Sequence, residues 1–493
     1  MIGRLEYKWI VGIVFVFGLF MDLLDMTIVN VALPVLGRDL DVDPTHGAST
    51  IQWVVTGYLL SLAVFIPVSG WLGDRFGTKR IFMLALFVFT GASFLCGLAW
   101  SIESLIAFRV LQGVGGGMLT PVGTAMLFRA FPPHERAKGA AILMIPMVVA
   151  PASGPVLGGY LVQYQDWRWI FFINIPIGIL GLAFAGFFLR EERQANPGRV
   201  DVPGFVLAAA GLGSLMYALA QAGINGFDDR EVIAFGVAGT ALLTAFTIVE
   251  LRTAEPMIDI RLFRNRLFSA ANTVQLVGQG GLMGALFLLP LLLQAEMGFS
   301  PFKSGLATFP QAIGVITMVQ IASRLYSRIG PRRLMIAGMA GGTLTTLAFL
   351  LVDLNTSAWT IRGLMFARGL SFALVLISLQ TATFATIDLP DMGRASAIFN
   401  AGRQVAASFG VAVLATVLTS RLASHGTVLG PPQAGGDPQV ALTAFHEAFA
   451  VAAALTVFGI LASFLISDKE AAPSMRTVTA GAEEEAPVGV HVA

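Results

Sequence analysis

The chain has 493 residues, of which 56% are hydrophobic and only 12% charged, and its formal net charge is +1. A soluble globular protein carries about 25% charged residues, so this composition excludes that class, and near-neutrality excludes a nucleic-acid partner recruited by bulk charge. The single cysteine, Cys96, excludes an internal disulfide and a cysteine metal cluster.

The apolar residues fall into runs of about 20, long enough to cross a hydrocarbon core of roughly 30 Å as helices. In chain order they predict fourteen spans, over 9–36, 48–72, 81–100, 103–128, 138–162, 168–189, 202–221, 231–251, 267–293, 303–325, 332–352, 360–387, 394–420 and 443–466. The first run follows Arg4 and Lys8 without a small-residue cleavage site, and reads as an uncleaved span rather than a signal peptide. Strand-type alternation is missing, which argues against a barrel. Beyond Ser467 the chain turns small, polar and acidic, with Glu483–Glu485, and a disordered cytoplasmic tail is expected over 468–493.

Lys and Arg residues test the span pattern, because cytoplasmic loops are enriched in them. With the N-terminus inside, 22 of the 31 fall in inside segments and 6 outside, while Arg109, Arg368 and Arg403 remain within spans. An even number of spans then puts both termini in the cytoplasm.

Between spans 2 and 3 lies GWLGDRFGTKR, residues 70–80, four charges and three glycines wedged between apolar runs. Arg75, Lys79 and Arg80 serve as topological anchors that meet anionic headgroups. That role leaves Asp74 and the glycines Gly70, Gly73 and Gly77 unexplained. A weaker copy, SRLYSRIGPRR, ends at Arg333, without the acidic residue. Downstream, Arg109 is followed after 27 residues by Arg136, and Arg368 after 26 by Arg394. Two related six-span halves follow, over 1–195 and 260–467, with two inserted helices over 196–259. Parallel halves with a site at their interface are a recurrent transporter design.

Charges inside spans are costly, about 2.5–3.5 kcal/mol for an Asp on insertion scales, so they mark a pathway or a partner. Asp22 and Asp25 lie three apart on one face of span 1. Arg109 in span 4 stays charged and either supports a nearby carboxylate or ties span backbones together. Span 5 carries Pro151, Gly154, Pro155, Gly158 and Gly159, the material of either a hinge or static close packing. Asn272, Gln275 and Gln279 form a polar stripe on span 9, and with Gln112 they are candidates to line a cavity. Arg403, Gln404 and Asn400 are placed near the cytoplasmic end of span 13. No Walker A order and no metal-ligand spacing occurs, so no cofactor or metal is expected.

These residues carry a family resemblance. GWLGDRFGTKR resembles the loop-2/3 signature of the major facilitator superfamily, RVLQGVGGGMLTP (109–121) its fourth-span motif, and APASGPVLGGY (150–160) the fifth-span antiporter motif. LLDMTIVNVALP (23–34), WRWIFFINIPIG (167–178), EPMIDIRLF (255–263) and NAGRQVAASFG (400–410) resemble the fourteen-helix drug–proton antiporter branch. Thr78 departs from it, since that loop position is usually basic. The resemblance implies an all-α integral membrane protein of two six-helix halves plus two extra central helices. It implies multidrug efflux of amphipathic, often cationic compounds, driven by the proton gradient. Proton coupling would fall to Asp25 with Arg109, and less clearly to Asp22. The 70–80 turn would be a conformational latch, and span 5 a hinge. The expected setting is the plasma (inner) membrane, with lipid around a functional monomer, no nucleic acid, and a periplasmic adaptor left open. The rival readings are a dedicated exporter of one endogenous metabolite, lipid or siderophore, and, further off, a non-transporting receptor or enzyme.

Overall fold

The computed structural model describes residues 6–40, 47–193, 201–253, 256, 258–427 and 437–475. Within them the regular structure is helical throughout. Fourteen helices have spanning length: α1 (Tyr7–Asp39), α2 (Gly47–Phe76), α3 (Thr78–Gly97), α4 (Ile102–Ala130), α5 (Arg136–Tyr164), α6 (Trp169–Phe188), α7 (Val202–Asn225), α8 (Arg230–Arg252), α9 (Arg266–Glu296), α10 (Phe302–Ile329), α11 (Pro331–Ala348), α12 (Ala358–Thr383), α13 (Met392–Ser424) and α14 (Pro438–Ser463). All but α5 are also apolar enough along their length to cross a membrane; in α5 the apolar stretch is the shorter Val149–Val162. Helices are the expected outcome, because in hydrocarbon each backbone polar group must be satisfied within its own segment.

Helix starts carry their own signals. Ser101 and Ser104 form a reciprocal capping box on α4, Asp201 accepts from Gly204 N (2.9 Å) at α7, and Asp229 accepts from Glu231 N (2.9 Å) at α8. The turns before α3 and α11 pivot on Gly77 (φ 104°) and Gly330 (φ 85°), backbone conformations that L side chains rarely adopt.

α1–α6 form one half and α9–α14 the other, meeting along two seams, α5 against α10 and α2 against α13. The inserted pair α7/α8 packs on itself, and α7 also covers α2 and α13. Both described chain ends lie at one end of the bundle, here called the terminal end. One apolar cluster there contains residues of both halves, among them Phe128, Phe131, Phe384 and Phe399. Two further clusters each stay within a single half, around Trp167 and Phe171 in the first and around Phe349 and Phe445 in the second. The halves are thus fastened at the terminal end, where Phe128 stacks on Phe384 (4.6 Å between centroids) and Ser396 Oγ donates to Pro121 O (2.7 Å).

The expected disordered tail falls largely on 476–493, outside the described residues. Its first eight residues are ordered: they end in the turn Ala472–Met475, where Ser474 bonds the buried Tyr326 hydroxyl (2.8 Å). The boundary between the first half and the insert, at 195/196, also lies outside the described residues.

Candidate functional site

The polar centre of the first half is built around Asp25, which is fully buried on α1. Its Oδ2 accepts from Arg109 Nη1 of α4, and its Oδ1 accepts from Gln112 Nε2 (2.9 Å) and from Asn174 Nδ2 of α6 (3.2 Å). Arg109 is anchored further: Nη1 donates to Gln112 Oε1 (2.7 Å), Nε donates to Val54 O of α2 (3.0 Å), and the guanidinium lies 4.2 Å from the Tyr58 ring centre. Asn174 also donates to Ser93 Oγ of α3 (3.1 Å). Five helices therefore hold one ion pair. Such a pair is retained because its members satisfy each other; removal of one partner typically costs about 3–5 kcal/mol.

Asp22, one turn earlier, is 4% exposed and has a different shell. It accepts from the Tyr58 hydroxyl and from Thr120 Oγ1 (3.2 Å). Tyr58 thus touches both acidic sites, its ring beside Arg109 and its hydroxyl on Asp22. Gly116 makes room for it, since a Cβ there would stand 2.8 Å from Tyr58 Oη and 3.1 Å from Asp22 Oδ1. Gly113 and Gly117 press directly on α2 backbone, which explains the small-residue stripe of α4 as close helix packing. Arg403 is not at the end of its helix. It lies eleven residues into α13, about 16 Å along the axis, where its charge acts on Asp22 across the interface between the halves.

The 70–80 turn separates into two groups. Asp74 and Gly70 face the other half. Asp74 Oδ1 accepts from Arg129 Nη2 of α4 (2.6 Å), and Arg129 Nε reaches Leu389 O just before α13 (3.3 Å). Gly70 lies so close to Gly393 O that a Cβ would come within 2.6 Å. Gly77, Lys79 and Arg80 instead face α6: Lys79 donates to Gly186 O (2.7 Å) and Leu189 O (2.8 Å), and Arg80 pairs with Glu191 (3.4 Å). Gly73 packs on Thr78 and Val122, and Arg75 is exposed. Thr78 is buried, with its N–H on Glu192 O (3.0 Å), which leaves little room for the basic residue of the family pattern.

Other candidates take quieter places. α5 runs unbroken through Pro151 and Pro155; Gly154 sits directly against Thr27 of α1, Gly158 is buried, and Gly159 has open space beside it. Gln112 belongs to the ion-pair shell rather than to an open lining. Asn272 bonds its own helix at Phe268 O (2.8 Å), and Gln275 donates to Phe399 O of α13 (2.8 Å). Gln279 is buried, and its Oε1 has no hydrogen-bond partner among the described residues. Gln275–Gln279 is a π-helical stretch, which shifts the spacing on which the stripe was drawn.

Sequence reading missed Arg129, Tyr58, Ser93 and Thr120. Asn174 lies inside the quoted WRWIFFINIPIG, so a signal was present, but nothing in the spacing pairs it with Asp25.

Two six-helix halves, an inserted helix pair and a charged pair held away from lipid define a polytopic membrane transporter. A family model described as the Major Facilitator Superfamily matches residues 15–411, and the chain belongs to that family. Curated relatives include the putative multidrug resistance protein MdtD of Serratia proteamaculans, 35% identical over 426 residues covering 86% of this chain and 87% of the relative. The multidrug resistance protein B homolog of Mycobacterium tuberculosis is 34% identical over 409 residues, 82% of this chain and 75% of that one. The uncharacterized MFS-type transporter YhcA of Bacillus subtilis is 32% identical over 88% of this chain and 81% of the relative. Among solved structures, the human organic anion transporter MFSD10 superposes with a TM-score of 0.66 at 17% identity, covering 93% of this chain and 99% of its own. That likeness shows the shared fold.

Proposed function

We propose that this transporter is a proton-driven exporter of amphipathic, often cationic compounds, working by alternating access between its halves. The observation that carries the reading is the Asp25–Arg109 pair: a titratable group and a permanent cation, both buried, on two different helices of the half that closes against α13 and α10. Arg109 stays charged throughout. A proton on Asp25 cancels the carboxylate's hold on Arg109, which keeps its bonds to Val54 O and Gln112 and its place beside Tyr58. Loss of that proton restores the pair. A cationic compound entering between the halves competes with the proton for the same negative charge, which couples the two flows in opposite directions. The relatives named multidrug resistance proteins support the substrate class.

The basic-residue bias supports a cytoplasmic terminal end, and the relatives named multidrug resistance proteins support a plasma-membrane setting. The fastened terminal end is then the cytoplasmic gate in its shut position, with Asp74, Arg129 and the Gly70–Gly393 contact as its latch. One proton moving through roughly 150 mV yields about 3.4 kcal/mol, some 2.5 decades of gradient, so no cofactor is required.

The test is substrate-induced proton release from purified protein, wild type against Asp25→Asn. We expect release and uphill efflux to vanish together in the variant, with substrate binding weakened and no longer dependent on pH. A variant that releases as many protons and still concentrates substrate makes Asp25 structural and moves the coupling to Asp22. Orientation is tested separately: Ser424→Cys should react with an impermeant thiol reagent on intact cells and Lys469→Cys should not.

A further inference from the structure

The inserted helices bring two acidic residues into the protein interior at the terminal end. Asp201 precedes α7 and Glu250 lies in the last turn of α8; they are 8% and 1% exposed. The α7 cap uses Asp201 Oδ1, and Ile258 N donates to Glu250 Oε1 (3.4 Å). The other oxygen of each, Asp201 Oδ2 and Glu250 Oε2, is buried with no hydrogen-bond partner among the described residues. The two carboxyl groups face one small space. A Cβ on Gly204 would collide with the Asp201 carboxyl and stand 2.8 Å from Glu250 Oε1. Only the missing side chain of Gly204 lets them share that space.

Two ionised carboxylates cannot sit in this way without compensation, because each unpaired buried charge costs several kcal/mol. Among the described residues, the charges around them do not supply it. Asp259 acts on Glu250 with the same sign as Asp201. Arg394 of α13 is within electrostatic reach, but its Nη1 engages Asp391 (3.4 Å) and its field also acts on Asp74. Arg261 is turned away onto Leu251 O (3.1 Å) and Thr253 O (3.0 Å). No third Asp, Glu, His or Cys among the described residues completes a metal-ligand group. A proton satisfies the geometry with the fewest groups, since it removes one of two adjacent buried charges without a further partner.

We propose that Glu250, with Asp201 beside it, forms a proton-binding site that holds one proton while α7/α8 are docked on α2 and α13, and that ionises when the insert parts from them. The proton comes from the solvent at the terminal end and returns to it. The site also has a route to the latch. Arg394, which feels Glu250 on one side and Asp74 on the other, follows Gly393, the residue against which Gly70 closes. Trp71 of α2, Ala208 of α7, Phe246 of α8 and Ile258 form one apolar cluster with Ile398 of α13 packed against it. Ionisation at the acid pair therefore strains the insert at the point where it leans on the gate. The inference does not depend on Asp25 carrying the transported proton.

The test combines two measurements on purified full-length protein across pH. Infrared difference spectra report the carbonyl stretch of a protonated carboxylic acid. Spin labels at Leu251→Cys and Leu389→Cys, both exposed, report the separation of α8 from the α13 entrance. In wild type we expect a carboxyl band that disappears as pH rises, with a lengthening of the label distance at the same midpoint. Glu250→Gln, which keeps the shape of the neutral acid, should lose the band and hold the short distance at every pH; Asp201→Asn, the second variant, should do the same. A wild-type band that persists in both variants overturns the assignment. So does a distance that ignores pH in wild type, or one that responds to added sodium or calcium while the band is absent.

Discussion

In the first half the arginine of the fourth helix meets a carboxylate; in the second half its counterpart meets none. Arg109 pairs with Asp25, whereas Arg368 of α12 donates to Thr346 Oγ1 (2.8 Å) and Leu282 O (2.7 Å), with no carboxylate in reach among the described residues. Each arginine stitches three helices of its own half together. Only one of them does so through a carboxylate. The halves also share a turn: Gly77 and Gly330 both adopt positive φ, and each is closed by an acid that follows the half's last helix, Glu191 in one and Asp468 in the other. The architecture repeats while the buried ion pair is placed on one side, so the two halves share a frame and differ in its charged centre.

The largest effect that would break this comparison is at the arginines. Arg109→Gln strands Asp25 as an unpaired buried charge, and we predict a loss of about 3–5 kcal/mol in stability together with loss of pH-driven efflux. Arg368→Gln removes hydrogen bonds only; a loss of about 1–3 kcal/mol with efflux retained is expected. Unfolding of the purified variants and efflux from cells measure both, and equal losses in the two halves would sink the asymmetry. The double variant Asp25→Asn/Arg109→Gln sharpens it, because removal of both charges should restore much of the stability that Arg109→Gln loses while efflux stays absent.

Next in size is the fastening between halves. Asp74→Asn should weaken its charged hydrogen bond to Arg129 by about 1.5–3 kcal/mol, and Arg129→Gln should match it because the two residues act as one contact. Spin-label distances across the terminal end would report a shift toward separation in both variants. Additive effects in the double variant would show that the two do not act together.

The matched turns predict matched effects. Gly77→Ala and Gly330→Ala each force a side chain into a positive-φ conformation and against an acid, and each should cost about 1–3 kcal/mol in thermal unfolding. The smallest effect concerns Glu135, just before α5. Burial pushes its carboxyl up, but Lys8 and Lys138 outweigh it and hold the group below its ordinary range. A carboxyl depressed in the folded state stabilises the protein above its ordinary pKa, about 4.3, and loses that contribution as pH falls through the lowered value. Glu135→Gln should therefore flatten the acid limb of a stability–pH curve, and an unchanged limb would exclude this contact as a contributor.

The helices were legible because hydropathy over 20 residues is a property of the chain alone. The same holds for the charged turn and for Asp25, whose cost in hydrocarbon marks it without a partner in view. The partners were not legible. Arg129 reads as a basic residue at a helix end until α2 and α4 cross, and Tyr58 reads as an interior aromatic until its hydroxyl meets Asp22. Glu250 lies among residues of a helix end where a charged side chain is ordinary; only packing reveals that it is enclosed with Asp201. Asn272 and Gln275 do share a face, both lying against Gly402 of α13; the sequence could not reveal that this face is packed there, nor that a π-helical stretch begins at Gln275. Asp468 was hidden in the expected tail, so the second turn seemed to lack an acid that arrives from beyond α14.

That acid at the far end of each half has a mechanical meaning. Thr78 N is held by Glu192 O (3.0 Å) and Arg332 N by Asp468 Oδ1 (2.9 Å), so the segment after each half's sixth helix is tied back to the start of its third. The third to sixth helices of each half thereby form a closed ring rather than a row of hinged rods. A push on any one helix of that ring is shared among its four members, which favours their moving together over their moving singly.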